Sequence, residues 1–549
     1  MTAADVPIRS RRIRAPKEDG AALIDPPLSE AVKLVEANRK LAQTWDRASG
    51  LPLRSWRQSA RGALGVEEDS RPLIFSGHQP TLFHPGVWLK NFVLNQIAQM
   101  VGGAGFNLIV DNDNSRQSGI SVPTGTIQSP AVAHIPLDQS AVELPFEERR
   151  IVDRQMMAEF PRRVHAAYDP LQTLSSGRRP RLLIDELWPF VEESLHKPPR
   201  IDLLTALPGD SVFVRDSIVL GDCLARARHH FERRLGLSTQ EIPLSYLCYA
   251  GPFMDFVDHL LLRWPELHAH YNATLAEYRL VNHIRSHVHP APDLVADGSW
   301  LEAPLWIWDK TRPQRRRAFM RRVGNGWELT DRDGIVIARD GGSLTRAGVI
   351  GWRESQVKFN VKVRPRALIT TMFARLILSD LFIHGIGGAK YDELTDALIR
   401  RFFGIEPPAY VTATATFRLP IERPQTSEED VRAIERRIRD TLHHGETFVD
   451  ELTGNRGSEL KQLAAEKKEL IAARWQEKQK KAWHDRVTAG NERMSALLAD
   501  VRQQLLQQRE KRLADLHASN LLAQREFSFI LFPEETLPRA LLDLCAARP

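Results

Sequence analysis

The sequence predicts an α/β protein with a Rossmann-type, mainly parallel sheet as its core, interrupted by insertions and followed by a C-terminal α-helical coiled-coil arm. Three stretches carry that expectation. Residues 71–113 read as strand, loop, helix and strand: Leu73, Ile74 and Phe75 form an apolar run, and Val87, Leu89, Phe92, Val93, Ile97 and Met100 recur at helical spacing. A second apolar run from Asn107 then stops at Asp111, Asn112, Asp113 and Asn114. Residues 361–419 repeat the alternation around Leu381, Phe382 and Ile383. Beyond Pro420 the composition turns to Glu, Gln, Arg, Lys, Ala and Leu, with Leu463 and Leu470, Leu498 and Leu505, and Leu506 and Leu513 each seven apart.

Taken in order, residues 1–70 form an amino-terminal arm and a covering helix carried by Val32, Leu34, Val35, Leu41 and Trp45, with 1–27 laid over the body or disordered. Residues 71–299 are the first part of the core with insertions, including short strands at 211–214 and 242–248, each followed by a helix. Residues 300–355, punctuated by Asp-Gly and Gly-Gly pairs, predict a small antiparallel insertion. Residues 356–425 are the second part of the core, with a glycine-rich site loop leading to a helix near Tyr391. Thr426 or Ser427 caps the first helix of the arm, 426–526; after a hinge at 445–458 a long charged helix, or two with a break near Gly490, runs over 459–526, and the tail, 527–549, is apolar enough to dock on the core.

A chain of 549 residues exceeds one ordinary hydrophobic core. Its 75 Lys and Arg face 69 Asp and Glu, a net charge of +6, too small a surplus to argue for nucleic acid but compatible with small anionic substrates. Three cysteines, Cys223, Cys248 and Cys545, show no CxxC or zinc-like spacing, which predicts a reducing, cytoplasmic setting. No run approaches the roughly 20 apolar residues of a membrane span. His283, His287 and His289 run directly into Pro290 and Pro292 and lack a carboxylate cluster, so they read as loop histidines, and no structural metal is expected.

In open α/β sheets ligands lie beyond the carboxyl ends of the strands, so the loop 76–85 and the cluster 111–114 share one rim. Gly77 permits close backbone approach, and His78 and Gln79 offer polar groups before a helix amino end that favours an anion. In the second stretch His384, Gly385, Gly387, Gly388 and Lys390 precede Tyr391 and Asp392, the make-up of an anion cradle, although it is neither a Walker A loop nor a GxGxxG fingerprint. Arg364 stands upstream as a further ligand-binding candidate, and Arg315, Arg316 and Arg317 lie on a basic strand able to reach the crevice. His78 and Lys390 are read as stabilising transferring phosphates, and Asp111 and Asp113 as positioning an amine or a metal-bound nucleotide.

These residues resemble the cysteine ligases of bacillithiol biosynthesis, the BshC family. Gly77, Gln79, Leu82 and Phe83 resemble that family's Gly-Gln-Gln-x-x-Leu-Phe loop, with His78 where the family has glutamine. Arg364-Pro365, Gly387-Gly388, Phe403-Gly404 and Pro407-Pro408 resemble its second site segment, and Leu531-Phe532-Pro533 an element after its coiled coil. The chain departs from the family after Gly388, where Pro-Gly-Glu is replaced, and His78-Gln79-Pro80 is also similar to the opening of WbqC-like proteins. The resemblance implies a Rossmann-type core, a coiled-coil homodimer, and a ligase joining an amino acid such as cysteine to an amine-bearing sugar-type acceptor. ATP or ADP, with Mg possible, is the expected cofactor. A non-catalytic nucleotide- or sugar-binding dimer and a nucleotidyltransferase acting on a glycan precursor are the alternatives.

Overall fold

Alternation of period two sorts the strand side chains onto two faces and thereby fixes what each face must bury. The computed structural model describes residues 8, 13–66, 71–115, 119–139, 142–172, 180–196, 218–323, 326–339, 361–473 and 479–546. Its strands are β1 (Ala21–Asp25), β2 (Leu73–His78), β3 (Ala104–Ile109), the hairpin β4 (Gly119–Gly125) and β5 (Pro130–Pro136), β6 (Gln240–Pro243), and β7 (Ala296–Asp297). There follow β8 (Trp300–Asp309), β9 (Arg316–Val323), β10 (Gly326–Thr330), β11 (Val336–Arg339), β12 (Val361–Pro365), β13 (Leu381–His384) and β14 (Tyr410–Thr416).

The principal sheet has the order β1-β14-β13-β2-β3-β6 and is parallel throughout except for β1, which pairs antiparallel with β14. From β2 the chain builds outward through β3 to β6, then returns to the other side of β2 and builds through β13 to β14. The direction of winding therefore reverses between β2 and β13, the place where an open sheet leaves a crevice at its carboxyl edge. Leu73, Phe75, Phe106 and Leu108 face one core with the helices Gly251–Leu262, Ala367–Phe373 and Ile386–Phe403. Ile74, Leu381, Ile383 and Val411 face the other, with the helices Pro85–Met100, Leu183–His196 and Leu220–Arg234.

Several elements differ from the sequence reading. Residues 21–25, expected in a loose arm, are the antiparallel edge strand, since Ala21 to Asp25 pair with Thr416 to Thr412 of β14. The strand expected at 242–248 ends at Pro243 and turns at once into the short helix Leu244–Leu247. That expected at 211–214 lies outside the described residues. β12, assigned from sequence to the second part of the core, instead pairs antiparallel with β8 and closes the second sheet, β11-β10-β9-β8-β12.

Ser427 caps the helix Glu428–His443 through a capping box with Asp430. The next break falls between the helices Gly454–Ala472 and Lys480–Leu497, not near Gly490, which lies inside the latter. Arg456 reaches Asp500, Arg493 reaches Glu459, and the Trp483 indole donates to Leu470, so these helices run antiparallel. Phe448, Leu460, Leu463, Met494, Leu498 and Leu505 form their own small core. The tail buries Phe529, Ile530, Leu531 and Leu541 against the principal sheet's helix layer, with the Phe529 ring 4.5 Å from that of Trp88.

Asp380, immediately before β13, ties the far edge of the sheet together. Its carboxylate accepts from Arg57 at 2.7 Å, from Arg61 at 3.3 Å and from the Leu73 backbone N–H at 2.8 Å, all in buried surroundings. Asp380→Ala strands two buried guanidinium groups, so it is expected to lower unfolding stability by about 3–5 kcal/mol. Urea denaturation measures this, and a loss below about 1 kcal/mol would show that water or a neighbouring residue takes over the role.

Candidate functional site

A cavity of about 680 Å³ opens at the crevice between the carboxyl ends of β2 and β13. Gly77, His78 and Gln79 line it from β2, and Asp113 from the segment after β3. His384, Gly385, Gly387, Gly388 and Tyr391 line it from β13 and the helix that follows. Two stretches far apart in sequence thus share one site.

The glycine-rich segment is not a loop. The helix begins at Ile386, with Gly385 as its cap, so Gly387 and Gly388 form its first turn. A Cβ on Gly388 would lie 2.8 Å from His384 Nδ1, which is why this position has no side chain. The earlier start turns Lys390 outward: it is exposed and does not line the cavity, contrary to the phosphate-stabilising role expected of it. Asp392 is fully buried behind the wall, 2.5 Å from His384 Nε2 and 2.8 Å from Arg375, which also reaches Asp396 at 2.7 Å. The His384 contact is short but its angle departs from a linear N–H···O bond, so Asp392 acts on the ring mainly as a charge. Burial alone would raise the Asp392 pKa, but His384 and Arg375 outweigh it and hold the group well below the usual carboxylate range. Asp392 therefore orients His384 and does not touch a ligand.

Two further expected residues are structural. Arg364 is fully buried on β12 and holds Glu147 with two bonds of 2.8 and 2.9 Å, stacked 4.8 Å over the Tyr249 ring, so it has no face on the cavity. Asp111 is buried and accepts from the Ser245 backbone N–H at 2.9 Å and from the Ser245 hydroxyl, which pins the start of the helix after β6. Asp113, by contrast, lies on the rim, bridging Gln79 Nε2 and Arg315, each at 2.8 Å. Arg315 stacks 4.8 Å over Trp306 and also lines the cavity, whereas Arg316 turns away to Asp331 and Asp333.

The residue that the sequence reading missed is Lys90. It lies in the helix Pro85–Met100, is only 3 % exposed, and lines the cavity. Its Nζ donates to the Gly77 carbonyl at 2.7 Å, and its Cδ lies 3.9 Å from where a Gly385 Cβ would be, so it reaches from the end of β2 to the cap after β13. Among the described residues no carboxylate pairs with it. Burial, aided by the nearby Arg228 charge, lowers its pKa to about 7. Arg525, from the segment after the last long helix, donates to Thr414 at 2.9 Å and lines the same cavity.

Two cavity histidines, His78 and His84, are neutral. Burial and then Lys90 lower His78 to about 3, and burial and then Arg525 lower His84 to about 4. His78 Nδ1 lies 3.2 Å from the Gln79 carbonyl, which accepts only, so the proton belongs on Nδ1 and Nε2 is an acceptor. An acceptor nitrogen suits an amine or hydroxyl proton; it does not suit the phosphate contact expected of His78.

Elsewhere, His229, Glu232 and Glu241 lie close enough together to suggest a metal site, but Arg228 already meets both carboxylates. Within the cavity Asp113 is engaged on both oxygens and Glu526 sits beside Arg525, a poor setting for Mg. The cations and helix amino ends do fit the phosphates of ATP or ADP. Cys223, Cys248 and Cys545 are buried, and burial pushes Cys223 and Cys545 up to about 12, as inert core thiols require. No family model matches the chain and no curated protein is found similar to it, so its chemistry must be argued from this cavity.

Because Lys90 falls to about 7 when folded, against an ordinary 10.5, the unfolded chain binds more protons between those values. Stability conferred by this group therefore rises with pH through that window, by up to about 1.4 kcal/mol per pH unit. Lys90→Met should abolish that slope. Urea unfolding of both proteins at constant ionic strength, from neutral to alkaline pH, checks it; parallel profiles would show that Lys90 is normally charged when folded.

Proposed function

We propose that the chain is an enzyme of the carbon–nitrogen ligase type, BshC-like in its reaction, that joins an amino acid to an amine-bearing sugar-type acceptor in the cavity between β2 and β13. The observation that carries this reading is the company kept there: a buried lysine and two helix amino ends that favour oxyanions, beside His384 and a neutral His78 whose Nε2 can accept a hydrogen bond. A carboxylate or phosphate would be held on the Lys90 and Arg525 side. The amine, attacking an activated carboxyl, would be held by His78 Nε2 as a hydrogen-bond acceptor and pass its proton to His384, which Asp392 backs. ATP or ADP is the nucleotide we assign to this site, its phosphates toward the two helix amino ends.

Support for a Rossmann-type core comes from the parallel strands lying in the order third, second, first, fourth, fifth of the chain, as doubly wound folds do. Support for a coiled-coil dimer comes from Leu506 and Leu513, seven apart and exposed on the outside of the helical hairpin. The absence of any helix long and apolar enough to cross a membrane among the described residues suits the small-molecule partner and cytoplasmic setting proposed.

Incubation of the full chain with ATP, a panel of amino acids and a glucosaminyl acceptor should yield a coupled product by mass spectrometry, with stoichiometric phosphate or pyrophosphate. His384→Ala should slow turnover by about 10²-fold or more while the unfolding midpoint holds, and Lys390→Ala should leave it unchanged. Nucleotide binding without any product or phosphate release across the panel would replace the ligase by a binding module.

A further inference from the structure

Among the described residues, the positive groups that line the cavity outnumber the carboxylates that could balance them. Lys90 uses one of its three N–H bonds on Gly77 and has no carboxylate partner among the described residues. The two helices that begin at Pro85 and Ile386 both present their amino ends to the same space, through Gly86 and Val87 and through Ile386 and Gly387. Arg525 is pressed against the first of them: a Cβ on Gly86 would lie 2.7 Å from its guanidinium. On the other side of the balance, Asp113 is spent on Arg315 and Gln79, leaving Glu526 at the mouth, exposed beside Arg525. Arg228, below Lys90 in the helix Leu220–Arg234, is matched by Glu232 and Glu241 and lends no compensation to the lysine.

We infer that Lys90 is the centre of an oxyanion subsite, shared in chemistry by a carboxylate and a phosphoryl group, and that the subsite takes up one proton onto Lys90 when the anion binds. This rests on the reading of the cavity as the substrate site. A lysine buried without a counter-ion is half deprotonated near neutrality, as Lys90 is; an anion set beside it restores the ammonium, and the proton comes from solvent. No bond is made or broken. The other titratable groups facing the space do not mimic the effect: His78 and His84 are held neutral far below this pH range, His384 is set against Asp392, and Arg315 and Arg525 stay charged. The subsite thus prefers its ligand below neutral pH and releases it as pH rises.

Sulfate as the tetrahedral probe and L-malate as the carboxylate probe neither gain nor lose protons between about pH 6.5 and about pH 9, so calorimetric titration of the full chain in buffers of different ionisation enthalpy reads the protein's proton directly. The expected result is uptake of close to one proton per anion at about pH 8, with affinity falling about fiftyfold between about pH 7 and about pH 9. Whichever probe binds names the source, and binding of both is expected of a subsite that reads only the oxyanion. Lys90→Arg, which keeps a permanent charge, should retain binding within about threefold while losing both the uptake and the pH dependence. Lys390→Met should behave as the unaltered protein. Binding of either probe by the unaltered protein without proton uptake overturns the inference and leaves the ligase reading standing; failure of both probes to bind at about pH 6.5 overturns the oxyanion subsite and its ligase role together.

Discussion

The pairing of β13 with β2 is the constraint from which the site follows. Leu381 lies opposite Ile74, Phe382 opposite Phe75 and Ile383 opposite Ser76, a parallel register of three residues that closes a very long excursion of the chain. So short a ladder cannot by itself repay the entropy of that closure, which grows with loop length. Asp380 adds what the ladder lacks: one carboxylate, 307 positions from Leu73 in sequence, accepts that residue's N–H while neutralising Arg57 and Arg61. The backbone returns the bond, since Asp380 N–H donates to Leu73 carbonyl at 2.7 Å. With the amino ends of both strands fixed, their carboxyl ends must emerge side by side, and His78 and His384 face one cavity.

At that cavity the fold keeps a charge it does not neutralise. Elsewhere among the described residues cations are buried only with partners: Arg364 with Glu147, Arg375 with Asp392 and Asp396, Arg228 with Glu232 and Glu241, Arg366 with Glu302. Lys90 is the contrast within the set. Burial of an ammonium without a carboxylate costs stability, and apolar replacement at such a position is ordinarily favourable. A chain that follows the pairing rule so consistently departs from it where a ligand can complete the balance, which is the usual place for local rules to fail.

The sequence carried the frame of this arrangement well and its interior poorly. The apolar runs 73–75 and 381–383, and the polar groups that follow them, are local signals, so the two strands and the rim residues Gly77, His78, Gln79, Asp113 and His384 were legible from pattern alone. Lys90 was not, because in Val87-Trp88-Leu89-Lys90-Asn91-Phe92 the apolar positions set the helix and a lysine among them reads as its wet side. It is buried only because the helix is covered by the sheet on one side and by the tail and the helix Leu220–Arg234 on the other. Lys390 failed for a geometric reason: two glycines suggested a loop, and moving the helix start back to Ile386 rotates every later side chain. Arg364 failed because its partner, Glu147, stands 217 positions away, a distance at which no pattern in the sequence announces an ion pair.

The carboxyl-terminal third belongs to the site as well as to the architecture. After the long helix Ala499–Leu522 the chain does not leave the body: Arg525 donates to Thr414 and Thr416 on β14 and stands at the cavity wall, and the Phe529 N–H donates to the Phe83 carbonyl at 2.9 Å. Phe529 also closes over Trp88, whose indole N–H donates to Glu232 at 2.8 Å, the carboxylate that Arg228 needs. Each link is ordinary packing or a single hydrogen bond. Together they make the burial of the helix that carries Lys90 depend on residues 525–532. The helical region that ends just before Arg525 is thus joined, through that arginine and through Phe529 against Trp88, to the wall of the cavity and to the helix that carries Lys90.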